Sequence, residues 1–184
     1  KFDLFLDEVD DLVKECTQRY PNKPVIIYGH SMGGNVVLNY MIKRKHPAVK
    51  LTVVTGPWIK LVKEPPGILK IIVRFIRKIA PNLAQENKIG TYVSRVQEEV
   101  DKYMNDPLNH GRITVSLADE MVKASTFLDE YSGTLNEPTL IMHAGDDLWT
   151  VQREILHLKY GKGYTMKSIM KIFGNKSMIL LLIG

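Results

Sequence analysis

A serine between two glycines separates two apolar stretches early in the chain. Residues 25–41 read VIIYGHSMGGNVVLNYM, which places Ser31 at the centre of a Gly-His-Ser-Met-Gly motif. A serine hydroxyl can attack a carbonyl carbon when a sharp turn exposes its oxygen. Glycines two residues away on either side, here Gly29 and Gly33, relieve the crowding in such a turn because they lack a Cβ atom. The motif therefore predicts nucleophilic chemistry at Ser31.

The flanking residues predict a strand before Ser31 and a helix after it. Residues 25–28 are largely β-branched and are bounded by Pro24 and Gly29, whereas apolar residues 36, 37, 40 and 41 recur at helical spacing. A helix that begins at once directs the amide of Met32 and the positive helix end toward the oxygen of an attacked carbonyl. Met32 is thus the expected donor for half an oxyanion hole. The alternative is a glycine turn with a purely structural role.

Composition favours one globular domain and excludes several other classes of protein. The 184 residues are 45% hydrophobic and 24% charged, enough for a hydrophobic core. The single cysteine, Cys16, cannot form an internal disulfide or a cysteine metal cluster, so a reducing, cytoplasmic location is expected. The net charge of +5 is mild, and the basic residues do not alternate with aromatic ones, so nucleic-acid binding is not expected. We expect no metal and no cofactor.

Alternating strands and helices predict an α/β fold with a parallel sheet and helices on both faces. A helix over residues 2–13 precedes the strand at residue 25, further strands are expected over 49–56, 138–145 and 165–173, and a helix over 151–162. The long helical segment between the second and third strands predicts an inserted cap, about residues 57–125. Residues 1–184 are expected to form one domain. Because Lys1 already lies within an amphipathic pattern, we expect the domain to be incomplete at its amino end, which would leave one edge of the strand before Ser31 unpaired. The closing MILLLIG is too short to span a bilayer.

With these elements placed, the chain resembles the α/β-hydrolases, and most closely their monoacylglycerol lipase and lysophospholipase branch, also labelled serine aminopeptidase-like. The resemblance extends from Lys1 to about Val151 and rests on GHSMGG, TGPW, VSRVQEEVDKYMNDPLNHGRIT and PTLIMHAGDD. It implies a serine hydrolase of acylglycerol or lysophospholipid esters. By position in these motifs, Ser31 would be the nucleophile, Met32 would supply an oxyanion amide and Asp146 would be the triad acid.

The sequence supplies a candidate acid for the expected triad but no histidine at the position where the resemblance expects the base. Asp146 follows the third strand, where a carboxylate can orient a histidine; Asp147 is the neighbouring alternative, and either could simply be a turn or cap residue. The resemblance places the base histidine after the fourth strand, where this chain has Ser177. It also places a second oxyanion amide in a His-Gly loop that would precede Lys1. These departures leave a second hypothesis, an impaired or inactive homologue that only binds lipid or a partner.

The five histidines of the chain receive structural interpretations. His30 is expected to pack at the strand end or to form a wall of the pocket, because its backbone position directs it away from Ser31. His157 falls within a predicted helix and is expected on its surface. The others, at the end of a basic helical turn, in the cap return and at the end of the third strand, are His46, His110 and His143.

One segment of the cap is strongly amphipathic. In GILKIIVRFIRKIA, a narrow basic stripe formed by Lys70, Arg74, Arg77 and Lys78 lies beside a wide apolar arc. Such a helix suits a lid that rests on a phospholipid surface, and a peripheral membrane surface is therefore an expected partner. The alternative is a cap helix packed on the core with its charges in solvent.

Overall fold

A computed structural model describes residues 1–44, 46–60, 66–86, 90, 93–135, 137–143, 159–160 and 179–183, the last two ranges and Lys70 by their backbone alone. The helices are α1 (Asp3–Arg19), α2 (Met32–Lys43), α3 (Gly67–Ile79), α4 (Gln97–Asn105) and α5 (Val115–Glu130). The strands are β1 (Val25–His30), β2 (Val49–Thr55), β3 (Ala84–Glu86), β4 (Arg112–Thr114), β5 (Thr134–Leu135), β6 (Thr139–Met142), β7 (Lys159–Tyr160) and β8 (Ile179–Ile183).

A four-stranded parallel sheet in the order β6-β2-β1-β8 forms the centre of the fold. The first three predicted strands are confirmed as β1, β2 and β6. Parallel pairing brings the carboxyl ends of these strands to one edge of the sheet, so the chain leaves β6 at the edge where Ser31 follows β1. The α/β class expected from the sequence is therefore confirmed.

The strand β8 corrects one expectation about β1. A missing neighbour was expected to leave one edge of β1 unpaired, but β8 pairs with β1 in parallel from Val25↔Ile179 to Gly29↔Ile183. Residues 179–183 read ILLLI, a continuous apolar run typical of a strand buried on both faces. The predicted strand over 165–173 lies outside the described residues.

Helices α1 and α2 cover one face of the sheet and form the main core with it. Leu6, Val9 and Val13 of α1 are buried there, and almost all of α2 is buried, including the side chain of Tyr40. Strand residues alternate between faces, and Ile26 and Leu51 belong to a separate cluster on the other face. The helix predicted before the first strand is confirmed as α1. Its packing, together with that of α2, fixes the position of the turn between β1 and α2.

The predicted cap segment contains α3, α4, most of α5 and the antiparallel pair β3–β4. Helix α5 packs against both α2 and α3, so it connects the cap to the core. The helix expected over 151–162 is wrong at its end, because Lys159 and Tyr160 form the short strand β7, which pairs with β5. The preceding residues, 151–158, lie outside the described part of the chain. The backbone at Lys159 and Tyr160 therefore follows the pairing with β5, which lies elsewhere in the sequence, and does not follow the local helical pattern.

Candidate active site

Ser31 lies at the turn from β1 to α2 and has a left-handed backbone, with φ 51° and ψ −114°. This conformation is strained for a residue that carries a Cβ atom. Ser31 occupies the N-cap position of α2, yet its side chain makes no capping hydrogen bond. The residue is exposed to solvent. Ser31 is thus an exposed, uncapped serine at the strand-to-helix turn expected from the sequence.

Two glycines make the tight turn possible. A Cβ atom added to Gly29 would lie 2.5 Å from the carbonyl oxygen of Gly33, so α2 begins in direct contact with the end of β1. The expected role of Gly29 therefore has a geometric basis, whereas that of Gly33 stays a prediction. The structure adds Gly34, where a Cβ atom would lie 3.0 Å from the Cβ atom of Pro57. The double glycine after Met32 was the signal in the sequence for this second close approach.

Hydrogen bonds from three segments fix the backbone of Ser31. Its amide donates to the carbonyl oxygen of Thr55 at the end of β2 (3.0 Å). Its carbonyl oxygen accepts from the amide of Asn35 (3.2 Å) and from that of Trp58 (3.0 Å). A strained conformation costs about 1–3 kcal/mol and persists only when its surroundings determine it in several ways. Sequence reasoning did not identify Thr55, Asn35 or Trp58 as supports of the turn.

Met32 is the first residue of α2, where amide groups have no partner within the helix. The Met32 side chain is half-buried against the main core, and the Met32 backbone lies at the turn beside Ser31. The start of a helix also carries partial positive charge, which favours an anion placed there. An oxyanion formed on a carbonyl attacked by Ser31 would benefit from both features.

His30 is held beside the turn by a short chain of hydrogen bonds. Its Nδ1 atom lies 2.8 Å from the Thr55 hydroxyl, which in turn lies 2.8 Å from the Tyr28 hydroxyl. The three side chains belong to β1 and β2 at the sheet edge from which Ser31 emerges. The His30 residue is exposed. This arrangement orients the imidazole as part of the surface around Ser31.

Two other histidines make local contacts with the backbone. His46 accepts a hydrogen bond at Nδ1 from the amide of Ala48 (3.2 Å), next to the start of β2 and thus at the opposite sheet edge from Ser31. His110 accepts one at Nδ1 from the amide of Arg112 (3.1 Å) and is exposed within the cap. Neither contact brings its imidazole to the turn at Ser31.

The remaining residues expected to be catalytic lie outside the described residues. These are Asp146, its alternative Asp147 and the expected base position Ser177; His157, expected on a helix surface, also lies outside the described residues. The chain segment that leads from β6 toward Asp146 is described only as far as His143. The carbonyl oxygen of Met142 accepts a hydrogen bond from the amide of Gly56 (2.8 Å). The chain therefore leaves β6 at the edge of the sheet where Ser31 lies, and the role of Asp146 stays a prediction.

The basic residues of α3 do not share one environment. Arg77 is only 25% exposed and binds Asp119 and Glu120 of α5, the latter at 2.6 Å. Arg74 is mostly exposed, 3.9 Å from Asp119, and Lys78 is exposed. Burial acts to raise the pKa of Asp119, but hydrogen bonds from Lys123 and Arg77 hold it below its usual value. Of the described basic side chains of α3, only that of Arg77 thus packs closely on α5, and of Lys70 only the helical backbone is described.

The apolar side of α3 faces solvent. Ile68, Ile71, Phe75 and Ile79 are 66%, 62%, 64% and 70% exposed. No helix in the described part of the chain is long and apolar enough to cross a membrane. The helix therefore presents most of its apolar arc outward, whereas Val73, Ile76 and Arg77 are half-buried.

Comparison with known proteins agrees with this geometry. Residues 1–159 match the family described as serine aminopeptidase, S33. A monoacylglycerol lipase of Mycolicibacterium smegmatis is 28% identical over 145 residues, which are 78% of this chain and 51% of the relative. A phospholipase of Bacillus subtilis is 26% identical over 148 residues, 79% of this chain and 56% of the relative. The chain thus spans about half the length of these relatives.

Among solved structures, the monoacylglycerol lipase of Paleococcus ferrophilus superposes with a TM-score of 0.74 at 18% identity. The superposition covers 100% of this chain and 65% of that protein, which supports the same fold. Both the extent of the family match and the shared fold support one assignment. The chain belongs to the serine aminopeptidase S33 family of α/β-hydrolases and resembles its monoacylglycerol lipase-like branch.

Proposed function

We propose that this protein is a serine hydrolase of lipid esters, with a monoacylglycerol or a lysophospholipid as substrate. The strained turn at Ser31 carries the proposal, because it exposes an uncapped hydroxyl at the start of a buried helix. The similarity to a monoacylglycerol lipase and to a phospholipase supports the choice of lipid esters.

In the proposed reaction, the Ser31 oxygen attacks the ester carbonyl carbon and the Met32 amide stabilises the oxyanion. The bond to the alcohol breaks, the hydroxyl proton leaves with the alcohol, and water then releases the fatty acid from Ser31. Asp146 would orient the histidine that carries the proton. No histidine is assigned to that role, because Ser177 stands at the position where the resemblance expects it.

Labelling with a fluorophosphonate probe and hydrolysis of a monoacylglycerol test this proposal. We expect Ser31→Ala to abolish both, whereas Ser132→Ala, at an exposed serine after α5, should leave both unchanged. A chain that reacts with the probe equally well in the Ser31→Ala variant would contradict the assignment. Binding of monoacylglycerol without Ser31-dependent hydrolysis would instead support the inactive homologue.

We also propose that the exposed apolar face of α3 rests on a lipid surface. Burial of one large apolar side chain contributes about 1.5–3 kcal/mol, so several such side chains offer enough free energy for peripheral binding. The face carries Ile68, Ile71, Phe75 and Ile79, each more than half exposed.

Co-sedimentation with anionic and with neutral liposomes tests the membrane proposal. We expect Ile71→Ser combined with Phe75→Ser to reduce the bound fraction strongly. Leu108→Ser is a matched control, because Leu108 is 88% exposed but lies outside α3. Charge reversal at Arg77 would be a poor test, since it would also break the contacts with Asp119 and Glu120. Equal binding by the double variant and the control would refute docking through α3.

A further inference from the structure

A buried amide side chain lies directly behind the turn at Ser31. Asn35, in the first turns of α2, is 0% exposed. Its Nδ2 atom donates to the carbonyl oxygen of Trp58 (2.5 Å) and to the hydroxyl of Ser125 on α5 (3.2 Å). Burial of an amide in an apolar core is unfavourable unless its polar atoms are hydrogen-bonded. Asn35 therefore differs from most of its neighbours on α2, which are apolar or glycine, because its side chain requires hydrogen-bond partners.

The contacts of Asn35 with Trp58 close a ring around the Ser31 carbonyl. The amides of Asn35 and Trp58 both donate to the Ser31 carbonyl oxygen, at 3.2 and 3.0 Å. The Asn35 side chain then binds the carbonyl oxygen of the same Trp58. Trp58 is thus held at both its amide and its carbonyl group. The Trp58 amide is thereby held where it donates to the Ser31 carbonyl oxygen.

We propose that Asn35 is a positioning residue for Ser31. By holding Trp58, its side chain maintains the left-handed turn and thereby the direction of the Ser31 hydroxyl. The proposal rests on the proposed function in one respect, that the direction of this hydroxyl matters for nucleophilic attack. Displacement of a reacting atom by about 1 Å can lower a rate about a hundredfold.

The chain offers a matched control one turn further along α2. Asn39 is also 0% exposed, and its Nδ2 atom donates to the carbonyl oxygens of Asn35 and Ala124 and to Oδ1 of Asn35. Among the described hydrogen bonds, Asn39 reaches the turn only through Asn35, and its replacement leaves both hydrogen bonds from Asn35 Nδ2, to Trp58 and to Ser125, in place. Replacement of either asparagine by leucine removes a buried amide of similar size, so loss of stability alone should affect both variants.

Kinetics form the first part of the test. In the full chain, we expect Asn35→Leu to slow fluorophosphonate labelling of Ser31, and kcat for a short-chain ester, by about tenfold to a hundredfold. KM should change little, because substrate binding is not expected to involve Asn35. Asn39→Leu should remain within about threefold of the unmodified protein in both measurements. Equal losses in the two variants would refute the positioning role. Asn35→Ala replaces Asn35→Leu if the latter does not fold.

Nuclear magnetic resonance gives a readout that is independent of turnover. We expect amide hydrogen exchange of Trp58 to accelerate about tenfold in Asn35→Leu and to remain unchanged in Asn39→Leu. The Cα and Cβ shifts of Ser31 should move only in Asn35→Leu, because they report its backbone conformation. Unchanged exchange and shifts would overturn the inference even in an active chain. Absence of Ser31-dependent chemistry in the unmodified chain would refute the proposed function instead, and these spectra would still decide whether Asn35 positions Ser31.

Discussion

Substitution of Gly29 by alanine tests the close contact between β1 and α2. The added Cβ atom would lie 2.5 and 2.7 Å from the carbonyl oxygen and carbon of Gly33, and 2.9 Å from the amide nitrogen of Gly34. Ordinary contacts begin at 3.4 Å, so the shortest falls about 0.9 Å inside that limit. All three atoms belong to the backbone, and no side-chain rotation can relieve the overlap. Either α2 or β1 must move.

The cost of that movement can be estimated. Overpacking costs about 1–3 kcal/mol, and we expect the upper end because helix and sheet are both buried here. At about 2–4 °C per kcal/mol for a chain of this size, the Tm should fall by about 6–12 °C. Gly67→Ala is the control, since no atom lies within 4 Å of its added Cβ. We expect that variant to be neutral or stabilised by up to about 1 kcal/mol.

Thermal unfolding followed by circular dichroism compares the two variants with the unmodified chain. The backbone of Gly29 is not left-handed, so the measurement reports crowding rather than conformational strain. A Tm for Gly29→Ala equal to that of Gly67→Ala would refute the tight approach of α2 to β1. It would also remove the physical reason for a glycine before the turn at Ser31.

Three further predictions concern β8, the contact between α3 and α5, and the base. Consecutive residues of a strand direct their amides to opposite sides, so only one of Leu180→Pro and Leu181→Pro should remove a hydrogen bond to β1. That variant should lower the free energy of unfolding by about 1 kcal/mol more than the other. Equal free energies of unfolding in urea would contradict the pairing of β8 with β1. Asp119 has a lowered pKa, so its stabilising contribution should be complete above its unfolded-state pKa of about 3.9 and be lost as pH falls through the folded value. Asp119→Asn should reduce the loss of stability between pH 7 and pH 3, and an unchanged loss would exclude this role. A general base contributes about a hundredfold to ten-thousandfold. If Ser177 occupies the base position, Ser177→His should raise the Ser31-dependent hydrolysis of nitrophenyl esters toward that range, and Ser177→Ala should leave it unchanged. Equal rates in the two variants would direct attention to His143 or His157 as the base.

The turn at Ser31 could be predicted from sequence because each of its determinants is local. A β-branched run, a glycine and an apolar helix follow one another within residues 25–41, and they form β1, the turn and α2. The supports of the turn are different. Trp58 and Thr55 reach Ser31 through backbone groups, which every residue possesses, so residue type carried no signal for these hydrogen bonds. Asn35 did carry a signal, an amide at a helical position among apolar residues, but its partner could not be read from spacing.

Contacts between distant segments account for the expectations that the structure corrected. The apolar run at residues 179–183 was identified as too short for a membrane span, but its pairing with β1 depends on a match more than a hundred residues away in the sequence. Lys159 and Tyr160 carry a helical pattern and yet form β7 beside β5. In both cases the local sequence allowed more than one structure, and a distant strand determined which one formed.

Helix α3 shows the same limitation in the way its two faces are used. Its pattern correctly separates a basic side from an apolar side, but periodicity does not tell which side packs on the protein. The answer lies in α5, where Asp119 and Glu120 bind Arg77, so that this residue packs inward while Arg74 and Lys78 stay exposed. The apolar side is then left in solvent, where Ile71 and Phe75 gain nothing from the hydrophobic effect unless another apolar surface covers them. The ion pairs of Arg77 therefore favour the orientation of α3 that leaves Ile71 and Phe75 in solvent, which is the orientation that the proposed docking on a lipid surface requires.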